Sequence, residues 1–498
     1  MCDINRIIVF NHSYVLKHDL RRTYIFTSDK YNESKYNLIS QQWISVIHPI
    51  YAMLLSLASF PVRVEQYIKE ISSFLDITYE ESYYLVDSFL QKGTMPFYSN
   101  FGGMISQFPI NILIDSDKAI APSRLYTPEN FKYDYIDGKT ERALYAPNTV
   151  VLMPNSNCTT NCIYCYADRR VSCTLNMELI EKIIFQCKEL NVSRVTLTGG
   201  DIFAYKYWRE LLAYMSNNGF EIGLLSTKTP ISYEDALLLK RYKVNLQFSL
   251  DSINSNVLFS MIGMDEGYLK RVENCFNILE SVGLSIKVTT VLTSINSDIN
   301  QLYELFEFLS KFKNISLWEI RLAMKSLYSK KDFNSLKLSI NELQDIDNKI
   351  KLIKDKAKFK ISWSTSKTDN YFKSKEGSRS FLGARCSANY SNIMILPDGK
   401  VTICEQLYWN PKYIIGDISV QSIVEVWNSE RALQLAFPKR EDFRDISVCK
   451  ECKIFDECYA YPNRCIVDVL KGYGQENDDF PDPRCAKAPQ FKYELRTI

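Results

Sequence analysis

The sequence predicts an α/β protein: a parallel sheet covered by helices and curled into a partial (β/α)6 barrel, flanked by an N-terminal winged-helix-like domain and a C-terminal cysteine-rich domain. Three observations predict it. Six short apolar strands alternate with helical stretches between about 147 and 330. Three short helices and an extended stretch precede them. Ten of the 14 cysteines fall into two clusters, one just after the first of those strands and one beyond 380.

The bulk numbers are compatible with this. At 498 residues the chain has room for roughly three domains of ~150 residues. Apolar residues make up 46 %, enough for large cores. A net charge of +2 gives no basic signal for nucleic acid and no acidic tail. No run of eighteen apolar residues and no signal peptide is seen, so a soluble, cytoplasmic protein without membrane partners is expected. The only histidines are His12, His18 and His48, so histidine-based metal sites and Ser/His/Asp chemistry are poorly supplied. Metal chemistry here has to be mostly thiolate chemistry.

Taken in order, residues 1 to about 45 show little periodicity. Over 50–93, Val64, Ile68, Ile71 and Leu75 recur at helical spacing. Thr78 and Glu81 form a capping box ahead of Tyr84, Leu85, Phe89 and Leu90. The extended stretch after Gly93 completes a winged-helix pattern, placed at 1–130. Its helical part carries Arg63, Lys69 and Lys92 against Glu65, Glu70, Asp76, Glu80, Glu81 and Asp87, which would repel phosphates. Peptide docking along a wing strand fits better than DNA binding.

From 147 to 330 the expected strands are 150–153, 194–198, 221–226, 244–250, 285–292 and 314–322, with helices 177–190, 205–217, 233–242, 268–282 and 298–312 between them. Strict alternation implies parallel strands in a TIM-like partial barrel, with active residues at the C-terminal strand ends. Gly199, Gly200, Asp201, Ser226, Ser249 and Asp251 fall there. Residues 331–380 form a Lys-rich bridging region, and 351–378 holds eight Lys against three acidic residues, the pattern of a solvated helix face and connector. The cysteine-rich domain is expected over 381–498.

Cys158, Cys162 and Cys165 stand at C-x3-C-x2-C spacing. Three thiolates hold three irons of a [4Fe–4S] cube and leave the fourth open. A structural zinc wants four ligands, commonly two C-x2-C pairs, and Cys173 is the one nearby candidate for a fourth. Tyr164, just before the last cysteine, offers a flat surface that could stack on a purine.

This motif resembles the radical S-adenosylmethionine (SAM) enzymes, in the branch with a C-terminal SPASM domain, over about 147–498. The resemblance implies that SAM chelates the open iron through its amino and carboxylate groups. Reductive cleavage then yields a 5′-deoxyadenosyl radical that abstracts hydrogen from an unactivated carbon. Thr198-Gly199-Gly200-Asp201 looks like the family's Gly-Gly-Glu strand end, with Asp201 implied to accept from the SAM ammonium and the glycines to let backbone approach the ligand. Ser226, Ser249 and Asp251 match positions whose polar groups face SAM. Where many relatives carry Arg-Gly, this chain has Ile262-Gly263; Lys287 or Arg321 could substitute at the SAM carboxylate. No general base is identified.

The resemblance extends to Cys386, Gly399-x4-Cys404 and Cys449-x2-Cys452-x5-Cys458, whereas six residues rather than three separate Cys458 from Cys465. It implies one auxiliary [4Fe–4S] cluster on Cys449, Cys452, Cys458 and Cys485, and another on Cys386, Cys404 and Cys465 with an open or borrowed fourth site. The bland alternative is structural zinc with spare thiols. Cys2, Cys173, Cys187 and Cys275 have no partner pattern, and Cys187 and Cys275 are expected in the core.

The front domain resembles the leader-recognition domain of ribosomal-peptide maturases, which takes the leader as an added strand. The implied function is a radical SAM peptide maturase that binds a ribosomally made precursor and cross-links it through a thioether, ether or carbon–carbon bond. A flavodoxin or ferredoxin would supply the electron. A formylglycine-forming sulfatase maturase is the alternative within the family. A non-catalytic zinc or iron–sulfur adaptor is the alternative outside it.

Overall fold

The computed structural model describes residues 3–28, 42–92, 95–122, 124–329, 332–363, 386–460 and 463–490. Cys2 and the Lys-rich residues 364–380 lie outside the described residues. The chain divides into two compact units: Met1–Thr149 with Ile184–Val195 and Asn217–Glu221, and the remainder.

Four strands open the first unit: β1 (Ile7–Phe10), β2 (Tyr14–His18), β3 (Thr23–Thr27) and β4 (Ile44–Ile47). No periodicity announces them, and burial is the reason. Consecutive residues of β1 and β3 are buried on both faces, which erases the alternation of a half-exposed strand. Lys17 in β2 is itself buried, its Nζ donating to Ala146 O (2.7 Å), Pro147 O (2.8 Å) and Asn148 Oδ1 (2.6 Å). β2, β3 and β4 form an antiparallel sheet in that order.

Helix Pro49–Ser56, the two-residue β5 (Val62–Arg63), and helices Val64–Leu75 and Tyr79–Lys92 follow. The expected capping box is present: Thr78 Oγ1 accepts from Glu81 N, and Glu81 Oε2 accepts from Thr78 N. Then β6 (Phe97–Phe101) and β7 (Met104–Phe108) pair as a hairpin. Its two central residues, Gly102 and Gly103, both have positive φ (+57° and +81°), as a two-residue turn between twisted strands requires. β8 (Leu113–Asp115) returns beside β1, giving the order β5-β1-β8. Phe10, Leu16, Ile25, Leu54, Tyr67 and Phe108 share one core.

Along the rest of the chain all six expected strands are present: β9 (Thr149–Leu152), β10 (Arg194–Leu197), β11 (Leu224–Thr227), β12 (Asn245–Ser249), β13 (Ile286–Leu292) and β14 (Ile315–Leu322). They do not make one hydrogen-bonded sheet, as the simple barrel expectation had it. β11 to β14 run parallel and continue into an unforeseen strand, β15 (Lys360–Trp363). β9 and β10 instead join β16 (Asn392–Ile395), β17 (Lys400–Thr402) and β18 (Ile414–Asp417), in the order β10-β9-β16-β17-β18. The bare edge of β9 is satisfied by a segment some 240 residues distant, as in Met153 N to Ile395 O (3.0 Å), a pairing that local pattern cannot announce.

The expected helices are present, and helix Ser255–Ile262 is an addition. The bridging region is more ordered than a connector: helix Ile340–Lys354 buries Ile346, Ile350 and Ile353 and leads into β15. Lys351, Lys354, Lys356, Lys358 and Lys360 stay exposed, the solvated face that was expected. Cys187 and Cys275 are buried core residues.

Candidate active site

The loop after β9 carries Cys158, Cys162 and Cys165, and backbone bonds hold it from three sides. Ser156 N donates to Cys173 O (3.1 Å). Asn161 N and Ile163 N donate to Ile262 O (2.8 Å) and Met261 O (2.9 Å), the last carbonyls of helix Ser255–Ile262. Asp201 N donates to Asn157 O (2.7 Å). Ile262, where an arginine was looked for, is therefore a buried residue whose backbone anchors the cysteine loop. Cys173 also contributes backbone: its N–H donates to Ser156 Oγ (3.0 Å).

Gly199 and Gly200 end β10, and their glycine identity serves the loop. A Cβ on Gly199 would stand 2.7 Å from Asn155 O, and one on Gly200 would stand 2.0 Å from Asn157 O. The cysteine loop itself makes a close backbone approach at both glycines. A cavity of about 370 Å³ opens beside them, walled by Cys158, Cys165, Tyr166, Gly199, Gly200, Ser226 and Glu405 among others.

Asp201 does not wall that cavity. Its carboxylate accepts from Phe203 N (3.0 Å), Thr227 Oγ1 (2.7 Å) and Thr229 Oγ1 (2.7 Å), so it ties the end of β10 to the end of β11. Ser226 does face the cavity and accepts from Gln247 Nε2 (2.9 Å).

Tyr164 and Asp251 belong to a buried network that the sequence did not reveal. The Asp251 carboxylate accepts from Tyr164 Oη (2.5 Å), Lys228 Nζ (2.7 Å) and Val291 N (3.0 Å). Lys228 also donates to Ser249 O (3.2 Å), which is how Ser249 enters the network. Tyr164 is thereby fixed by its hydroxyl, and burial holds its proton far above the ordinary range. Lys228 follows Ser226-Thr227 at a strand end, and only that location could have singled it out. Lys287 and Arg321, suggested as substitutes for the missing arginine, are both engaged by Glu319.

The donor set fits an iron–sulfur cluster. Burial pushes the Cys158 thiol up to about 12, with Asp201 next and Cys165 and Cys162 adding to it, and burial also raises Cys165. Such thiols give up their protons when a cation takes them as thiolates.

The C-terminal cysteines separate into two groups by mutual influence. After burial, Cys449, Cys485 and Cys452 raise the affinity of Cys458 for its proton. Cys386 does the same for Cys404 and, after Asp468, for Cys465. Backbone N–H groups point at sulfur, from Gln406 to Cys404 (3.5 Å) and from Lys487 to Cys485 (3.4 Å). Cys465 is brought to the group by capping helix Ile466–Tyr473, its N–H donating to Asp482 Oδ2 (2.7 Å), which overcomes its irregular spacing. A cavity of about 560 Å³ takes Cys386, Cys404, Cys458 and Cys465 among its walls. Among the described residues no three Cys, His, Asp or Glu side chains converge on a single ion-sized point.

Comparison with known proteins agrees with this geometry. Residues 152–309 match the Radical SAM superfamily, and residues 386–453 match SPASM, an iron–sulfur cluster-binding domain. A "Probable GTP 3',8-cyclase" of Methanothermobacter thermautotrophicus is 25 % identical over 261 residues, covering 50 % of this chain and 80 % of that protein. The "Antilisterial bacteriocin subtilosin biosynthesis protein AlbA" of Bacillus subtilis is 27 % identical over 135 residues, 26 % of this chain and 30 % of AlbA. Streptococcus suis SuiB bound to precursor peptide SuiA is similar in fold, with a TM-score of 0.62 at 16 % identity, covering 96 % of this chain and 100 % of SuiB.

Proposed function

Because this chain is a radical SAM enzyme with a SPASM domain, with [4Fe–4S] clusters and SAM as its cofactors, we propose that it is a maturase of a ribosomally made precursor peptide. Cys158, Cys162 and Cys165 would hold the SAM-binding cluster, and Gly199, Gly200 and Ser226 would line the SAM site. Cys449, Cys452, Cys458 and Cys485, and Cys386, Cys404 and Cys465, would hold two auxiliary clusters. When bound, the reduced cluster and SAM supply a 5′-deoxyadenosyl radical able to abstract hydrogen from carbon.

The chain's own residues then have separable tasks. Asp201 fixes the two strand ends beside the cavity, and the Lys228–Asp251–Tyr164 network fixes the cysteine loop against β12 and β13. The observation that carries the peptide reading is the N-terminal hairpin, taken here as the wing of a winged-helix domain. β7 is engaged through Gln107 O by Ser45 Oγ (2.7 Å) and through Ser106 Oγ by His48 N (2.9 Å), which leaves β6 as the outer strand. Tyr98 on β6 and Ile105 on β7 are both 66 % exposed. An outer strand with apolar side chains on view suits a peptide added as a further strand. That SuiB, similar in fold, binds the precursor peptide SuiA is in keeping with this.

The product we favour is a cross-link by thioether, ether or carbon–carbon bond. The test is anaerobic co-expression with the short open reading frame encoded nearest its gene, followed by weighing the peptide. Loss of two hydrogens is expected. An unmodified peptide, with 5′-deoxyadenosine still formed from SAM by the reduced protein, would reject the peptide as substrate.

A further inference from the structure

Strands β11 to β14 present one polar face toward the candidate active site. Side chains alternate along a strand, so Lys287 and Thr289 of β13 lie opposite the core residues Val288 and Leu292. By the same alternation Glu319 and Arg321 of β14 lie opposite Trp318 and Ile320. Gln247 is the register partner of both Ser226 and Lys287, and Thr289 is the partner of Glu319. Ser226 walls the cavity beside the cysteine loop, so this face runs outward from that cavity. Lys287, Glu319 and Arg321 are not among the residues of that cavity, so they stand beyond the SAM site proposed above.

Two features of this face are unfinished. Lys287 and Arg321 both bind the same oxygen of Glu319, Arg321 at 2.7 Å, so the belt carries one positive charge more than it neutralises. Arg321 is half-exposed and can turn to a partner. Gln247 Oε1 and Thr289 Oγ1 are buried and have no hydrogen-bond partner among the described residues. Gln247 is 7 % exposed and Thr289 3 %. A buried polar atom left unpaired is unfavourable, and a ligand that pairs it removes that penalty.

We propose that this face selects an acidic residue of the substrate peptide. Arg321 and Lys287 hold its carboxylate, and Gln247 Oε1 and Thr289 Oγ1 take up an N–H and a C=O of its backbone. The inference rests on the peptide reading given above.

The test uses the anaerobically reconstituted full-length protein and calorimetry with three probes: acetyl-Ala-Ala-Glu-Ala-Ala-amide, the same peptide with Gln in place of Glu, and glutarate. The Glu peptide is expected to bind about 10-fold more tightly than the Gln peptide at low salt. Arg321→Glu should abolish that preference, and Thr289→Val should weaken both peptides alike. S-adenosylhomocysteine should bind both variants as it binds the parent, which also shows that they are folded. Equal affinity for the two peptides overturns the proposal. Loss of S-adenosylhomocysteine binding by a folded Arg321→Glu protein also overturns it, since the belt would then hold the cofactor's carboxylate. Glutarate bound through Arg321 while neither peptide binds would reject the peptide reading and keep the belt as a carboxylate site. Binding of none of the three rejects the belt itself.

Discussion

Gly200 shows how a single residue decides whether the cysteine loop can form. Any Cβ at this position would collide with the backbone of Asn157 at 2.0 Å, and backbone cannot step aside as a flexible side chain can. Gly200→Ala should leave the C-terminal cysteines alone and displace the first three. Iron per reconstituted protein is then expected to fall by about four atoms, by colorimetric assay, with SAM cleavage lost. Lys228 makes the complementary point about charge. It is the cation facing Asp251, whose side chain is fully buried. Lys228→Met would leave that carboxylate with Tyr164 and a backbone N–H as its partners, and breaking a buried pair costs about 3–5 kcal/mol. The urea midpoint should drop accordingly, and an unchanged midpoint would mean that the pair is not closed in solution.

Elements were legible where one face is wet. Helix Val64–Leu75 buries Val64, Tyr67, Ile68 and Ile71 and exposes Gln66, Lys69, Ser73 and Phe74, so its period survives in the sequence. The capping box ahead of helix Tyr79–Lys92 was equally plain, because both partners are exposed and act locally. Thr78→Ala should cost about 1 kcal/mol, read as a shift in the thermal midpoint of the N-terminal unit, with Thr78→Ser nearly neutral. β1 and β3 were missed because burial on both faces leaves no alternation. β15 was missed because its Lys-rich surroundings read as solvent-facing connector, while its pairing with β14 is set from outside the segment.

At the scale of the whole molecule, the division into two units has a consequence for pH. All three histidines lie in the first unit. Burial lowers the pKa of His12, His18 and His48 below the usual 6.5. The unfolded chain then takes up protons below about pH 6.5 that the folded unit refuses, so stability should fall as pH drops through that value. Urea unfolding followed between pH 7.5 and 5 should show it for the first transition, and His12→Gln should flatten the slope. The unit boundary also bears on truncation. Phe131 is buried in the N-terminal core, so a cut at 130 would open that core rather than release a domain.

By itself the sequence determined the chemistry. Three cysteines at fixed spacing, a Gly-Gly strand end and seven further cysteines carry the resemblance to radical SAM and SPASM proteins, because residue identity and short-range spacing are properties of the chain. It also determined the β/α alternation, because each helix and strand carries its own period. Only the tertiary structure decided what the polar residues around that chemistry do. Asp201 is committed to Thr227 and Thr229, and Asp251 to Lys228 and Tyr164, partners distant in the chain. The same holds for the edge of β9 and for the grouping of Cys465 with Cys386. The physical reason is one and the same: a buried hydrogen bond or ion pair is satisfied by whatever the fold brings within 3 Å, and sequence distance carries no information about that.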